Sequence, residues 1–199
     1  MSLKDLEPIL AAVTRARDRS DRPVLVALDG RSGVGKSTVA NRLVPLLDAR
    51  LVAGDDFYAG GTDEEWAARS AIKRLEHAFD WRRLRAEALE PLLAGQPASW
   101  RSFNWLSWEG LSDEVIVCEA GPVIVLDVVY SGRPELSDLV DIAVLLTLDD
   151  RERRARLVSR EGAPYIARWQ ALWESAEDHY FSSVRKPDSF DVIVSSART

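Results

Sequence analysis

Short apolar runs alternate with amphipathic segments along most of the chain. Apolar runs bounded by turn residues predict buried strands, and apolar residues that recur roughly every three or four positions predict helices that pack by one face. Strands are expected at residues 24–28, 51–54, 114–120, 123–130, 142–148 and 190–194. Helices are expected at residues 3–17, 36–47, 63–75, 82–94, 150–160 and 164–181.

The order of these elements predicts an α/β fold in which a mostly parallel sheet carries helices on both faces, a three-layer sandwich. All 199 residues are interpreted as one domain, since no repeat or linker interrupts the pattern. The core sheet is expected from residues 23–55, 114–148 and 190–194. Ligands of such sheets bind at the carboxyl ends of the strands, so the residues that follow each strand are candidates for function.

Composition narrows the classes of partner. The formal charge of −6 argues against a nucleic-acid backbone, and no apolar run reaches membrane-spanning length, so neither nucleic acid nor a membrane is an expected partner. The single cysteine, Cys118, excludes an intrachain disulfide and agrees with a reducing compartment. We therefore expect a cytoplasmic protein that acts on small molecules, and a homo-oligomer remains possible.

The segment between the first strand and the second helix, GRSGVGKST at residues 30–38, carries the complete Walker A pattern. Such a loop turns backbone N–H groups toward a phosphate at the N-terminus of the following helix. Lys36 is expected to meet the terminal phosphates of ATP, and Ser37 to ligate Mg²⁺. The alternative is a Gly- and Ser-rich turn that matches by chance. The predicted ATP-binding residues are Gly30, Arg31, Ser32, Gly33, Val34, Gly35, Lys36, Ser37 and Thr38.

Carboxylates follow two further strands. Asp55 and Asp56 come directly after the strand at 51–54, and Asp127 closes the apolar run VIVLD. A carboxylate beside a bound triphosphate can accept the proton of an attacking hydroxyl, which makes Asp55 the candidate general base. Asp127 stands where a P-loop protein holds Mg²⁺. The alternatives are a helix cap or Asx turn for the pair and a buried, hydrogen-bonded role for Asp127.

An arginine-rich helix follows the strand at 142–148. Its side chains can neutralise the charge of a phosphoryl group in transfer if the segment of about residues 149–165 closes as a lid. Arg156 and Arg160 share one helical face at an i, i+4 spacing, so they are the predicted catalytic arginines. Many of the arginines in this run are expected to be merely solvated.

These segments together resemble the uridine kinase and phosphoribulokinase family, and most of all its small bacterial uridine kinase-like members. The likeness runs from about residue 24 to residue 194 and is carried by GRSGVGKST, GDDFY, FDWRRLRAEALEPLLAGQP, VIVLDVVYSGRPEL and RERRARLVSR. The resemblance implies a nucleoside-monophosphate-kinase-like P-loop fold with a helical lid. It also implies that Asp55 is the general base and that Tyr58 lines an acceptor pocket within residues 56–112.

The acceptor side departs from that family. The Glu-Gly that is typical after the Walker B-like strand is absent from LDVVY, and FNWLSWEG at residues 103–110 lacks the histidine and arginine that contact pyrimidine. Trp105 and Trp108 offer flat rings for stacking on a base, or alternatively fill the core. Asp80 is either a ribose-binding carboxylate or the N-cap of a helix. The predicted substrate-binding residues are Asp56, Phe57, Tyr58, Asp80, Trp105 and Trp108.

The sequence as a whole predicts an ATP- and Mg²⁺-dependent kinase that phosphorylates a hydroxyl of a small molecule, with a nucleoside or nucleoside-like compound as the favoured acceptor. Its predicted catalytic residues are Asp55, Lys36, Arg156 and Arg160, and its predicted metal ligands are Ser37 and Asp127. Two alternatives remain. One is a kinase for a non-nucleoside alcohol such as an antibiotic or a sugar, and the other is an ATP-binding regulatory or switch protein without phosphotransfer.

Overall fold

A parallel sheet forms the centre of the molecule. The structure is a computed structural model that describes residues 3–196, apart from the side chains of residues 165, 166 and 169. Its strands are β1 (Val24–Asp29), β2 (Ala49–Ala53), β3 (Ala98–Phe103), β4 (Leu111–Cys118), β5 (Val123–Asp127), β6 (Ile142–Thr147) and β7 (Val192–Ser195). Five of them form the central sheet in the order β2-β5-β1-β6-β7, and every neighbouring pair in it is parallel.

Helices connect the strands of this sheet. The α-helices are α1 (Glu7–Arg17), α2 (Lys36–Leu47), α3 (Asp63–Ala68), α4 (Ala71–His77), α5 (Trp81–Arg83), α6 (Glu90–Leu93), α7 (Asp150–Glu161), α8 (Ala163–Trp169) and α9 (Ser175–His179). π-Helical turns continue them at Leu84–Leu89, Gln170–Glu174 and Tyr180–Val184, and short 3-10 turns lie at Lys4–Leu6, Gly54–Phe57, Pro134–Leu136 and Pro187–Ser189. Among residues 3–196, no helix has both the length and the apolar character that crossing a membrane would need.

Alternate residues of the strands face two separate apolar layers, as expected for a sheet that is buried on both sides. Val26 and Leu28 of β1 pack in a cluster with side chains of α1 and α2. Leu25, which precedes Val26 and faces the other side of the sheet, packs in a second cluster with side chains of the 81–93 and 170–184 helical segments. The predicted three-layer α/β sandwich with a mostly parallel sheet is therefore confirmed.

The predicted position of residues 114–120 in the core sheet is wrong. Residues 111–118 form β4, which pairs antiparallel with β3 in a separate two-stranded sheet, with Trp100 opposite Ile116. The outward face of this hairpin is open, since Val117 is 65% exposed and Val115 is exposed beside it. The sequence EVIVCEA has the β-branched residues of a strand, but strand propensity carries no information about which sheet the strand joins.

Several predicted elements end earlier than expected or are divided. The apolar run at 123–130 is a strand only as far as Asp127, and Tyr130 then takes a positive φ of 68° in the loop that follows. The helix expected at 63–75 divides into α3 and α4, because Ser70 caps a new helix by accepting from the Lys73 N–H. The arginine-rich helix is α7, which begins after the capping residue Asp149 and ends at Gly162.

The strand register brings the candidate residues to one edge of the sheet. Asp127, at the end of β5, lies beside Leu28 of β1 and beside Ala53 of β2. The phosphate loop begins directly after β1, and Asp55 follows β2 by two residues. Since the strands are parallel, the loop and both carboxylates meet at the carboxyl edge, as the topology of such sheets requires.

Candidate active site

The segment between β1 and α2 has the backbone of a phosphate loop. Gly30, Gly33 and Gly35 have φ angles of 138°, 86° and 98°, a region that residues with a Cβ rarely adopt. At Gly30, a Cβ would also lie 2.4 Å from the carbonyl oxygen of Leu146. Lys36, the first residue of α2, donates through Nζ to the carbonyl oxygen of Gly30 at 2.8 Å. The ammonium group of Lys36 is therefore held over the loop, in a position to contact the terminal phosphates of a bound nucleotide.

A cavity of about 390 Å³ opens in front of this loop. It joins predicted residues from four parts of the chain: the phosphate loop, the ends of β2 and β5, and α7. The predicted residues that line it are Ser32, Gly33, Gly35, Lys36, Ser37, Thr38, Asp55, Asp127, Arg156 and Arg160. The arrangement places cationic side chains and carboxylates around one space, which suits the transfer of a charged group.

Asp55 lies in the 3-10 turn after β2 and opens onto the cavity. Desolvation by the surrounding protein raises the pKa of its carboxyl from 3.8 to about 6, while Lys36 opposes the shift and Asp127 adds to it. A carboxylate with a pKa close to the pH of reaction is suited to general-base work, because it is ionised yet basic enough to accept a proton. The environment of Asp55 is that of a functional group.

Asp56 faces away from the cavity. Its Oδ2 accepts a hydrogen bond from the indole N–H of Trp100 at 2.8 Å, and its carbonyl oxygen accepts from the Arg83 guanidinium at 3.0 Å. Desolvation raises the pKa of this carboxyl too, but the group is already engaged by the hairpin. The two adjacent aspartates thus have different surroundings, and Asp55 is the one in the cavity.

The oxygen atoms around the cavity fit Mg²⁺. The Ser37 hydroxyl and the carboxylates of Asp127 and Asp55 line the same space. Within residues 3–196, no cluster of three or more His, Cys, Asp or Glu side chains could hold a metal by itself. Proteins usually bind Mg²⁺ through one or two carboxylates together with phosphate oxygens and water, and this cavity offers such carboxylates.

Both predicted arginines of α7 reach the cavity. The Arg156 guanidinium donates to Glu152 Oε1 at 2.6 Å and to the carbonyl oxygen of Ser196 at 3.0 Å. Arg160 is more exposed and donates through Nε to Glu161 Oε1 at 2.6 Å. A bound triphosphate would compete for both guanidinium groups, because phosphate oxygens are strong acceptors for arginine.

Aromatic side chains form a cluster around Tyr58, which follows Asp55 by three residues. The Tyr58 ring stacks on Trp105 with 5.2 Å between centroids and meets Phe103 edge-on at 5.0 Å. Trp105 meets Trp108 edge-on at 5.3 Å, and the two indoles are 43% and 53% exposed. Trp173 joins the group at 6.5 Å from Tyr58. Both tryptophans of residues 103–110 therefore lie in an accessible aromatic cluster and not in the core.

Two predicted substrate-binding residues have structural positions instead. Phe57 has no exposed surface and packs against Trp100, with 5.8 Å between ring centroids, so its predicted place in a pocket is wrong. Asp80 is the N-cap of α5, where its Oδ1 accepts from the Arg83 N–H at 3.0 Å. Of the two roles expected for Asp80, the capping role is the one present.

Asp29 was missed by the sequence prediction. This fully buried carboxylate ends β1 and accepts hydrogen bonds from the N–H groups of Gly30, Tyr130 and Gly132 at 2.7, 2.9 and 2.9 Å. The Tyr180 hydroxyl donates to it at 2.6 Å. Burial raises the pKa of Asp29, although the hydrogen bonds oppose the shift. The available signal was a carboxylate that closes an apolar strand directly before the first glycine of the loop.

Two further residues outside the prediction hold the phosphate loop from behind. Glu177 of α9 is 1% exposed, and its Oε1 accepts from the Ser32 N–H at 2.9 Å. Arg153 of α7, which is equally buried, donates to the Ser32 carbonyl oxygen at 3.1 Å. Arg153 was not among the predicted residues of this helix, and no local pattern distinguishes it from the other arginines.

Comparison with known proteins places this architecture in a family. The chain matches the AAA domain family over residues 26–181. It is 31% identical over 146 residues to the uridine kinase of Lactiplantibacillus plantarum, covering 70% of this chain and 68% of that protein. It is 28% identical over 173 residues to the uridine kinase of Limosilactobacillus reuteri, covering 84% and 76%. The structure of a possible uridine kinase from Bacillus stearothermophilus shares the fold with a TM-score of 0.67 at 16% identity, covering 94% and 98%.

Proposed function

The chain belongs to the uridine kinase family of ATP-dependent small-molecule kinases, and we propose that its acceptor is a hydroxyl group of a nucleoside or nucleoside-like compound. The observation that carries the proposal is the placement of Asp55 and Lys36 in one cavity with the phosphate loop. The uridine kinases to which the chain is similar support a nucleoside as the acceptor.

In the proposed reaction, the Asp55 carboxylate accepts the proton of the acceptor hydroxyl while that oxygen attacks the γ-phosphorus of ATP. The bond from this phosphorus to the bridging oxygen breaks, and ADP leaves with the electron pair. General-base assistance of this kind is typically worth ~10²–10⁴-fold in rate. Lys36, Arg156 and Arg160 offset the negative charge that spreads over the phosphoryl oxygens during transfer.

Ser37 and Asp127 are the proposed ligands of Mg²⁺. Both lie at the same cavity as Lys36, and both offer the oxygen atoms that this ion prefers. When bound, Mg²⁺ would neutralise part of the charge on the terminal phosphates. The negative charge of Asp127 adds to the raised pKa of Asp55, so a cation held by Asp127 would oppose that part of the shift.

The aromatic cluster is the proposed site for the base of the acceptor. Tyr58 and Trp105 present flat, partly exposed rings, and Trp108 borders them with its edge. Base stacking on such rings is worth about 1–3 kcal/mol for each base. Tyr58 follows Asp55 by three residues in the chain, and in the proposal the sugar hydroxyl extends from the rings toward the Asp55 carboxylate.

ADP release in the presence of a panel of hydroxyl compounds tests the proposal. The panel contains pyrimidine and purine nucleosides, sugars, and antibiotic alcohols, and the Asp55→Asn variant serves as the matched control. We expect ADP release that requires a nucleoside, and a nucleoside phosphate as product. Turnover with a sugar or an antibiotic alone would contradict the acceptor class. Slow hydrolysis of ATP that no acceptor accelerates would favour a switch protein over a kinase.

A further inference from the structure

The backbone of Ser32 is held on both sides by residues that do not belong to the phosphate loop. Glu177 Oε1 accepts from its N–H at 2.9 Å, and the Arg153 Nη1 donates to its carbonyl oxygen at 3.1 Å. Both side chains are 1% exposed, and Glu177 comes from α9 while Arg153 comes from α7. A buried charged group is costly unless it is paired or hydrogen-bonded, and Glu177 and Arg153 each use a hydrogen bond to the Ser32 backbone for this.

Peptide planarity turns these two contacts into a constraint on the loop. In a trans peptide, the C=O and the N–H of the same plane point in opposite directions. The Ser32 N–H points outward to Glu177, so the Arg31 carbonyl must point inward, and it accepts from Lys36 Nζ there at 3.3 Å. In the peptide plane between Arg31 and Ser32, the C=O and the N–H therefore point in the opposite directions that planarity requires.

The next plane follows the same rule. The Ser32 carbonyl points outward to Arg153, so the N–H of Gly33 in the same plane points toward the cavity that Gly33 lines. Gly33 has a φ of 86°, and a Cβ there would lie 2.7 Å from Leu157 Cγ of α7. The helix that carries the lid arginines therefore packs directly on the loop at this glycine.

We propose that Glu177 and Arg153 are positioning residues that fix the two peptide planes around Ser32, so that the Gly33 N–H is oriented toward a phosphate oxygen before ATP binds. The neighbouring charges support this arrangement. Arg153 Nε also donates to Asp150 Oδ1 at 3.0 Å, and Arg153 Nη2 lies 3.7 Å from Glu174 Oε1. These carboxylates hold the guanidinium in place behind the loop.

The proposal concerns the binding of ATP phosphates and does not depend on the acceptor. A phosphate loop whose N–H groups already point inward loses less entropy on binding than a loop that must reorient. Removing either contact frees one peptide plane to rotate, so the expected effect is on ATP affinity. An acceptor that proves to be something other than a nucleoside would leave this expectation unchanged.

Amide hydrogen exchange of the nucleotide-free protein tests the first contact without any substitution. The Ser32 N–H bonded to buried Glu177 should exchange about 100-fold more slowly than an unstructured amide, or slower still. Exchange of Ser32 at the rate of an unstructured amide would overturn the proposal. Since this measurement uses the natural chain, it stands even where a substituted chain fails to fold.

Calorimetric titration with ATP tests the consequence in variants. Glu177→Gln keeps an oxygen that can accept from Ser32, so its dissociation constant should stay within about threefold of the parent, whereas Glu177→Leu and Arg153→Met should each weaken ATP about tenfold. Glu76→Gln, at an exposed glutamate of α4, is the matched control for loss of a carboxylate.

A positioning role and a merely structural role give different results here. Thermal denaturation identifies the folded variants, and affinity is compared only among those. If Glu177→Leu and Arg153→Met fold and bind ATP as tightly as the parent, the proposal is wrong. Recovery of affinity in Glu177→Gln but not in Glu177→Leu would identify the acceptor oxygen, and not the negative charge, as the group that holds the loop.

Discussion

The nucleotide side and the acceptor side of the cavity are built in opposite ways. The proposed nucleotide side consists of consecutive residues, 30–38, in which positive φ angles require glycine at Gly30, Gly33 and Gly35. The proposed acceptor side consists of rings from separate segments, with Tyr58 after β2, Trp105 in the hairpin turn and Trp173 in the helical segment before α9. One side is a local motif, and the other exists only once the chain has folded.

This difference determines how each side tolerates change. A backbone-built site fails when its loop geometry or its single lysine is lost, because other residues cannot supply the same N–H groups or charge. A ring cluster distributes its contacts over several side chains, so the loss of one ring leaves others in place. We therefore expect the largest losses on the nucleotide side and graded losses on the acceptor side.

The largest effect should follow from Lys36→Ala. Lys36 is the only lysine among the described residues that line the cavity, and we expect its loss to lower turnover by at least about 10³-fold together with a clear loss of ATP affinity. Steady-state kinetics and ATP titration measure the two losses, with thermal denaturation to verify folding. If the variant keeps parental activity, Lys36 does not contact the terminal phosphates of ATP and the proposed nucleotide site is wrong.

Asp127→Asn should have the next largest effect. If this carboxylate supports Mg²⁺, the rate should fall about 10²-fold and recover in part at high Mg²⁺ concentration. Asp113→Asn, on the exposed hairpin strand β4, is the matched control and should behave as the parent. A variant that only unfolds, and whose folded fraction handles Mg²⁺ normally, would indicate a structural aspartate.

The fold was predictable where its signals are local. The apolar runs predicted as strands at 24–28, 123–130 and 142–148 correspond to the three central strands β1, β5 and β6, because strands buried on both faces leave continuous apolar stretches. The hairpin was not predictable as such. Residues 114–120 have the same composition as a core strand, and only the pairing of Trp100 with Ile116 across the chain assigns them to another sheet.

The pH dependence of kcat/KM for ATP, which reflects the protonation state of the nucleotide-free enzyme, should report Asp55. Its carboxyl pKa is raised to about 6, so protonation below that pH removes the base, and kcat/KM should fall tenfold per pH unit as the pH decreases. The raised pKa has the opposite effect on stability. Because the folded chain binds this proton more tightly than the unfolded chain, the contribution of Asp55 to the free energy of unfolding increases as the pH falls from 6 toward 4.

Because the contribution of Asp55 to stability increases as the pH falls, loss of activity and loss of stability can be told apart in this measurement. A loss of rate near pH 6 cannot come from unfolding caused by Asp55, and the melting temperature measured at each pH checks the rest of the molecule. A kcat/KM that stays flat down to pH 5 in a folded protein would contradict the assignment of the base.

The smallest effect is expected on the acceptor side, from Trp105→Ala. Loss of the ring that stacks on Tyr58 should raise the acceptor KM about tenfold while the KM for ATP stays unchanged. Leu106→Ala, at the neighbouring and almost fully exposed position, is the matched control. An equal rise in both KM values would mean that the two sides of the cavity are not separable in the way described.

The parts of the site that are formed by consecutive residues were predictable from the sequence. GRSGVGKST identified the phosphate loop, and the position of Asp55 after its strand identified the carboxylate of the cavity. Glu177 and Arg153 were not predictable, since each contacts Ser32 across more than 100 residues of sequence. Phe57 was misplaced for the same reason, because only the packing of Trp100 shows that its ring is in the core.

The paired substitutions Asp55→Asn and Asp56→Asn test the central claim most directly. Each keeps the size of the side chain, and only the first removes a carboxylate from the cavity, so we expect kcat to fall ~10²–10⁴-fold for Asp55→Asn with ATP affinity and melting temperature nearly unchanged. Asp56→Asn should remain within a few-fold of the parent. A large loss of kcat in Asp56→Asn with near-parental kcat in Asp55→Asn would contradict the account.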